Sequence, residues 1–428
     1  MSRIVRGRLL SFRDSPRHGG LYDYIEDGAL RIESGLIAQI GEARDILARA
    51  PPGTPVDDYA GRLILPGFID AHIHYPQTRV IGSYGAQLLE WLQKYTFVEE
   101  QKFADPAHAQ AVARFFLDEL FRQGTTTAVV YCTVAPESAE AFFAEAERRG
   151  ARMIAGKVMM DRNAPPALTD DPQRGYDESK ALLRKWHKRG RLGYAITPRF
   201  AITSSPAQLE AAGALAHEFP DAHVQTHLSE NHAEIALTKS LYPKARDYLD
   251  VYERVGLVGP KSVFGHCLHL EPREIDALAA LRGVAAFCPT SNLFLGSGLF
   301  DEGGLDKAGV RVALATDVGG GTSYSLLQTA NEAYKVLQMR GQSWPAVQAF
   351  YQLTLGNARA LGLEDRIGTL AVGREADLVV LDARGTPAMA HRMETVRGDL
   401  DEELFVLMTM GDDRAVAQTY VGGERAKV

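Results

Sequence analysis

Apolar and polar positions fall into two textures along this chain. Over residues 3–12 (RIVRGRLLSF) and 21–41 (LYDYIEDGALRIESGLIAQIG) they alternate, with breaks at Gly and Asp. A period of two predicts strands with one buried face, and Gly35 in ESGLI predicts a hairpin turn. From residue 63 the texture changes to short apolar runs separated by helically spaced segments. The first run, LILPGFIDAHIHYPQ (63–77), reads as a strand and a turn. Residues 106–123 place Phe115, Phe116, Leu117, Leu120 and Phe121 near helical spacing, between Pro106 and a stop at Gly124. TTTAVVYCTV (125–134) is β-branched and almost continuously apolar, as a strand buried on both faces would be.

The alternation then repeats. Helices are expected over 137–149, 174–189, 206–218, within 231–256 and over 272–282. Strands are expected over 151–160, 191–200, 223–228, 262–270, 284–288 and 311–317. Counting the first run, eight strands separated mostly by helices predict a closed parallel (β/α)8 TIM-like barrel. An open doubly wound sheet is the other option, but its GxGxxG signature is missing. Residues 322–341 and 344–362 look helical, and IGTLAVGREADLVVLDARG (367–385) returns to Gly-punctuated strands. The expected organisation is an α/β chain with a smaller discontinuous β-sandwich domain built from both termini. The barrel, 63–365, would be inserted between the halves 1–62 and 366–428.

Composition narrows the class. The 428 residues are 46% hydrophobic and 24% charged, the balance of a globular protein. With 47 basic and 54 acidic residues the net charge is −7, which argues against nucleic acid or an anionic membrane as the main partner. Cys132, Cys267 and Cys288 show no CxxC spacing and each sits in an apolar run, so core packing is their default role. No window reaches the apolar length of a spanning helix, and MSRIVRGRLLSF is too polar for a signal peptide. A cytoplasmic protein is expected.

The candidate chemistry lies at the strand ends. Strand side chains alternate faces, so His72 and His74 point the same way and can share one metal ion. Alone, an HxH is a weak signal and more often ordinary polar residues. His227 ends the fifth strand, His266 the sixth and Asp317 the eighth. In a barrel those ends gather around one mouth. Five ligand types placed there are hard to explain separately, although His266 alone would read as a satisfied core group and Asp317 alone as a cap. Imidazoles with one carboxylate suit one Zn2+, with Fe2+ the next candidate.

Glu230 lies three residues after His227. As an acid in the first turn of a helix it would be stabilised by the helix dipole. Beside a metal it could instead carry protons, which displacing an amino group by water requires twice. Asp317 could take the proton of that water. His269 should point away from the site on its strand, and His108, His187, His217, His223 and His232 read as structural or solvated. The run Gly319–Gly320–Gly321 lacks the GK[ST] of a phosphate loop and reads as a tight turn. Trp91 and Tyr95 share a helix face and could wall a pocket or belong to the core.

PGFIDAHIH, the HxxE from His227 to Glu230, GHC around His266 and TD at 316–317 resemble the metal-dependent amidohydrolase superfamily, over essentially the whole chain. The resemblance implies a (β/α)8 barrel that hydrolyses amide, ester or amine bonds. Where some members carry a metal-bridging lysine at the fourth strand, this chain reads YAITPRFAITSS, so one metal is expected. HIHYPQ (72–77), LLEWLQKYTF (88–97), TPRFAITSS (197–205) and CPTSNLFLGSG (288–298) are similar to the guanine-deaminating branch of that superfamily. That similarity implies a small purine substrate contacted by Gln77, Arg199, Phe200 and Trp91. It also implies Glu230, Asp317 and His266 in catalysis, and a homodimer. A glutamine amide offers a donor and an acceptor to a base edge, and an arginine fork suits a carbonyl beside a ring nitrogen. His266 would either ligate the metal or steady the attacking oxygen. The rival expectations are a related barrel aminohydrolase acting on another purine, a pterin or a triazine, and a scaffold that has lost the chemistry.

Overall fold

The computed structural model describes residues 2–85 and 87–427. The amino-terminal strands are β1 (Ser2–Phe12), β2 (Tyr22–Glu33), β3 (Leu36–Glu42) and β4 (Val56–Pro66). The barrel strands are β5 (Phe68–His74), β6 (Thr125–Tyr131), β7 (Arg152–Gly156), β9 (Gly193–Pro198), β10 (His223–Leu228), β11 (Ser262–His266), β12 (Val284–Phe287) and β13 (Arg311–Leu314). A two-residue strand, β8 (Val158–Met159), pairs beside β9. The carboxy-terminal strands are β14 (Leu378–Leu381), β15 (Val416–Val421) and β16 (Glu424–Arg425). Strands from the two ends make one seven-stranded mixed sheet, ordered β16-β15-β14-β4-β1-β2-β3.

The barrel strands pair in parallel from β5 to β13. Backbone bonds close the ring: Asp317 N donates to His72 O at 2.9 Å and His74 N to Val318 O at 2.8 Å. Two side chains stitch the same seam. Asp70 accepts from Thr316 N at 3.1 Å and Thr316 Oγ1 at 2.5 Å. Asn357 Nδ2 donates to Ile69 O at 2.6 Å and Leu314 O at 2.8 Å. Ile69, Val129, Ile154, Ala195, Val263, Ala286 and Ala313 form one buried cluster. These side chains come from seven of the strands and fill the interior of the ring that the seam bonds close. The helix Asn357–Leu361 plugs the amino-terminal end, where Leu361 O meets His223 Nε2 at 3.0 Å at the start of β10.

The eight strands and the intervening helices fall where the periodicity places them, with differences at the ends. The run 63–77 is not one strand. Leu63–Pro66 pairs with β14 in the seven-stranded sheet, and the barrel strand begins at Phe68. Between them the chain kinks at Gly67, where an added Cβ would lie 2.2 Å from Thr126 Oγ1. The expected strand 262–270 stops at His266, because His266 and Cys267 take left-handed backbone angles (φ 76° and 50°). Of 367–385 only Leu378–Leu381 is a strand. Two helices follow, Pro387–Met393 and Leu400–Met410, and the second packs against the helix Leu326–Met339. Arg152 and Arg191 from the barrel both bond Glu375 of the terminal unit, at 2.7 and 2.9 Å, and tie the two together. No helix among the described residues is long and apolar enough to cross a membrane.

Candidate active site

Four side chains converge at the carboxyl ends of the barrel strands. His72 Nε2 lies 3.3 Å from His74 Nε2, which lies 3.3 Å from His227 Nε2. Asp317 Oδ1 is 3.3 Å from both His72 Nε2 and His74 Nε2. Two ligands about 2.0–2.1 Å from one tetrahedral ion stand about 3.3–3.4 Å apart, so these spacings are those a coordination shell would need. The local sequence makes room for it. The β5–β6 register slips between Asp70 and Ile73, an irregularity of the kind that re-aims side chains. Gly265 faces His72, where an added Cβ would approach the ring to 2.7 Å. His227 is oriented from behind by Arg199 O, 2.7 Å from Nδ1, which leaves Nε2 free for the centre.

The electrostatics match that geometry. Burial lowers His74 to about 3, against the raising effect of Asp317. Burial, with the neighbouring His72, His74 and His266, holds His227 well below its ordinary value. Both are therefore neutral imidazoles, the form that binds a cation. Burial alone would raise Asp317, but hydrogen bonds from His72 and His74 outweigh it and keep the carboxylate ionised. Three imidazole nitrogens and a carboxylate oxygen face one buried point at these spacings. The donor set thus fits a borderline divalent ion.

His266 stands further out. Its Nε2 is 3.8 Å from Asp317 Oδ2 but 3.2 Å from Glu230 Oε2, and its Nδ1 meets Asn292 Oδ1 at 2.9 Å. Glu230 is buried, and Ser297 Oγ donates to its Oε1 at 3.0 Å. Burial, then the negative charge of Asp317, pushes its carboxyl up to about 8. Glu230 is not in the first turn of a helix. The helix starts at His232 behind the Asn231 cap, and Glu234 serves as its first-turn acid. Ser229, His266, Cys267 and Asp317 all have positive φ (51°, 76°, 50° and 52°). Non-glycine residues in that region cost about 1–3 kcal/mol each, and here they crowd one site.

The mouth is a pocket lined by these groups and by Gln77, Leu88, Trp91, Leu92, Arg199, Phe200, Leu295 and Gly320. Phe200 meets His227 edge-on, with ring centroids 6.2 Å apart. Trp91 is 2% exposed and lines the pocket, whereas Tyr95 packs in the apolar cluster behind it. In the same pocket wall, Gln77 Nε2 donates to Glu100 Oε1 at 3.0 Å and Arg199 Nη1 to Glu100 Oε2 at 2.7 Å. Gly319 N donates to Gln77 Oε1 at 3.2 Å, so the glycine run is part of the wall as well as a turn.

Glu100, Asn292 and Ser297 escaped sequence reasoning. Glu100 follows Glu99 in TFVEEQKF, where nothing in the pattern marks it. Asn292 and Ser297 lie inside CPTSNLFLGSG, which singled out the stretch but not the residues. His269 does not project from a strand. It lies beyond the end of β11, bonds Ser297 O at 2.8 Å and packs on His232 with ring centroids 4.0 Å apart. Lys157, at the end of β7, is turned away from the mouth, with Nζ 2.6 Å from Asp170 Oδ2.

A parallel eight-stranded barrel with two histidines on its first strand, further histidines at the fifth and sixth and an aspartate at the eighth defines a barrel hydrolase of the metal-dependent kind. The chain belongs to the amidohydrolase family, whose model matches residues 63–426. Within that family it is 51% identical over 425 residues to guanine deaminase from Escherichia coli strain K12, covering 98% of this chain and 97% of the relative. Among solved structures, E. coli guanine deaminase superposes with a TM-score of 0.97 at 48% identity, covering 99% of both chains. A guanine deaminase from C. acetobutylicum with bound guanine in the active site superposes with a TM-score of 0.89 at 28% identity, covering 99% of this chain and all of that one.

Proposed function

We propose that this chain deaminates guanine hydrolytically, giving xanthine and ammonia, with one zinc ion held by His72, His74, His227 and Asp317. The observation that carries the reading is a pair of side-chain groups in one pocket. One is the four-ligand cluster with 3.3 Å edges, and the other is an Arg199–Gln77 pair suited to a purine edge. Near-full-length similarity to guanine deaminases supports it.

A bound cation supplies a Lewis acid that makes water nucleophilic at neutral pH. The protein's own groups do the rest. Phe200 packs near the purine ring, and Arg199 with Gln77 fixes the ring so that C2 faces Glu230. As water oxygen bonds to C2, Asp317 takes a proton from it through the oxygen that points toward His266. Glu230, whose carboxyl sits near neutrality, delivers a proton to the adjacent ring nitrogen. Glu230 then takes the proton of the new C2 hydroxyl and hands it to the amine, the C2–N bond breaks as ammonia leaves, and the proton held by Asp317 returns to Glu230. His266, set back from the ligand cluster, steadies the attacking oxygen rather than ligating. The fourth barrel strand ends in Pro198 and Lys157 is paired to Asp170, so the reading takes a single metal without a bridging lysine.

The test is an ammonia-release panel of guanine, 8-oxoguanine, adenine, cytosine and isoxanthopterin, with metal analysis of the same protein. Guanine should be turned over at least tenfold faster than the others by metal-loaded protein. No ammonia from guanine at full metal loading would sink the assignment.

A further inference from the structure

The polar wall of the pocket has a fixed hydrogen-bond polarity, and one buried carboxylate sets it. Glu100 is 2% exposed and spends one oxygen on Gln77 Nε2 and the other on Arg199 Nη1. Gln77 Oε1 is occupied by Gly319 N–H. Flipping the Gln77 amide would face Oε1 to a carboxylate oxygen and Nε2 to an N–H, two repulsive contacts. The amide is therefore locked, and what it has left for a ligand is an N–H. Arg199 has only donors, and its guanidinium is held over the Phe97 ring, 5.4 Å from the centroid.

We infer that Glu100 is a positioning residue that makes this wall of the site donor-only, and that it thereby selects a 6-oxo over a 6-amino purine. The inference rests on the guanine reading and deepens it. The O6/N7 edge of guanine presents two acceptors, whereas a 6-amino purine presents N7 and a donating amino group. Against a donor-only wall the amino group leaves N–H facing N–H, desolvated and unpaired. Such mismatches carry large discrimination in sites built to bond a specific group. In the Glu100→Gln variant the introduced amide can donate, which removes one of the two repulsions against a turned Gln77 and leaves only that of Gly319 N–H, so the lock weakens and Oε1 becomes accessible to the ligand. Glu100→Asp keeps a charge near Arg199 but shortens the reach that spans both partners.

Three arms test this. In the first, Glu100→Gln with retained metal is assayed on guanine and on 2,6-diaminopurine, which carry the same amino group at C2. The expected result is a rise in KM for guanine of about tenfold or more, a smaller change in kcat, and at least a tenfold fall in the guanine to diaminopurine ratio of kcat/KM. The second repeats this with Glu100→Asp, where the ratio should fall in the same direction. The third needs no variant: hypoxanthine and adenine are titrated into the wild-type protein by calorimetry, and hypoxanthine should bind at least tenfold tighter. An unchanged ratio in a folded, metal-loaded variant overturns the inference, and so does equal binding of the two purines. Failure of the wild-type protein to release ammonia from guanine would instead strike the functional assignment, and calorimetry scores the polarity of the wall without turnover.

Discussion

Asn292 Oδ1 accepts from His266 Nδ1 at 2.9 Å. That bond holds the ring by Nδ1 and turns Nε2 toward Glu230 Oε2, 3.2 Å away. Asn292 therefore fixes which nitrogen of His266 meets Glu230. Asn292→Ala frees the ring to change tautomer and to turn. A partner behind a site histidine is typically worth about 10–100-fold, and kcat should fall by that much. Steady-state kinetics with metal analysis checks this. If the metal is lost along with activity, His266 is a ligand and not a holder of the attacking oxygen.

Glu230→Gln preserves shape and the hydrogen bond from Ser297 but cannot take up or release a proton in the required range. General acid–base groups contribute about 10²–10⁴, and kcat should drop within that span while metal content stays at the wild-type level. Unchanged turnover would remove Glu230 from the proton path. Because Glu230 sits outside the 3.3 Å ligand cluster, loss of metal would contradict the geometry as well.

The ligand cluster makes a separate prediction. With the cation gone, His72, His74, His227 and Asp317 face one another at 3.3 Å in a buried site. A bound ion stabilises the folded state by mass action. Treatment with a chelator should abolish activity and lower the melting temperature, and added zinc should restore both. Asp317→Asn should bind metal at least tenfold more weakly. Zinc-independent melting would show that these residues do not form the site.

Much of this was legible in the chain itself, and the reasons are local. TTTAVVY is recognisable because a strand buried on both faces must be apolar throughout. His227, His266 and Asp317 are recognisable because they close such runs. Legibility fails where one signal covers two elements. LILPGFIDAHIH is a single apolar run, yet Leu63–Pro66 serves one sheet and Phe68–His74 the other, with only Gly67 to mark the join. It fails again at His269, since nothing in GHCLH announces that His266 and Cys267 leave the extended region. Glu100 was invisible for a third reason. Its role depends on meeting Arg199, 99 positions away, and no periodicity reports that contact.

The barrel seam offers a test of the scaffold independent of the chemistry. Asn357 uses all its bonding capacity there: Nδ2 donates to Ile69 O and Leu314 O, and Oδ1 accepts from Leu314 N at 2.9 Å and Gln352 Nε2 at 2.9 Å. These bonds join the first and last strands just below the backbone pairs that set His72 against Asp317. Asn357→Ala leaves several buried backbone groups without partners, and each such group costs about 1–3 kcal/mol. Partial relaxation should bring the net loss to about 2–4 kcal/mol in urea unfolding, with weaker metal binding as the seam loosens. Asn357→Asp should be no better, because its second oxygen would face two carbonyls. A loss below about 1 kcal/mol in both variants would mean that the backbone pairs of Asp317 and His74 close the barrel unaided.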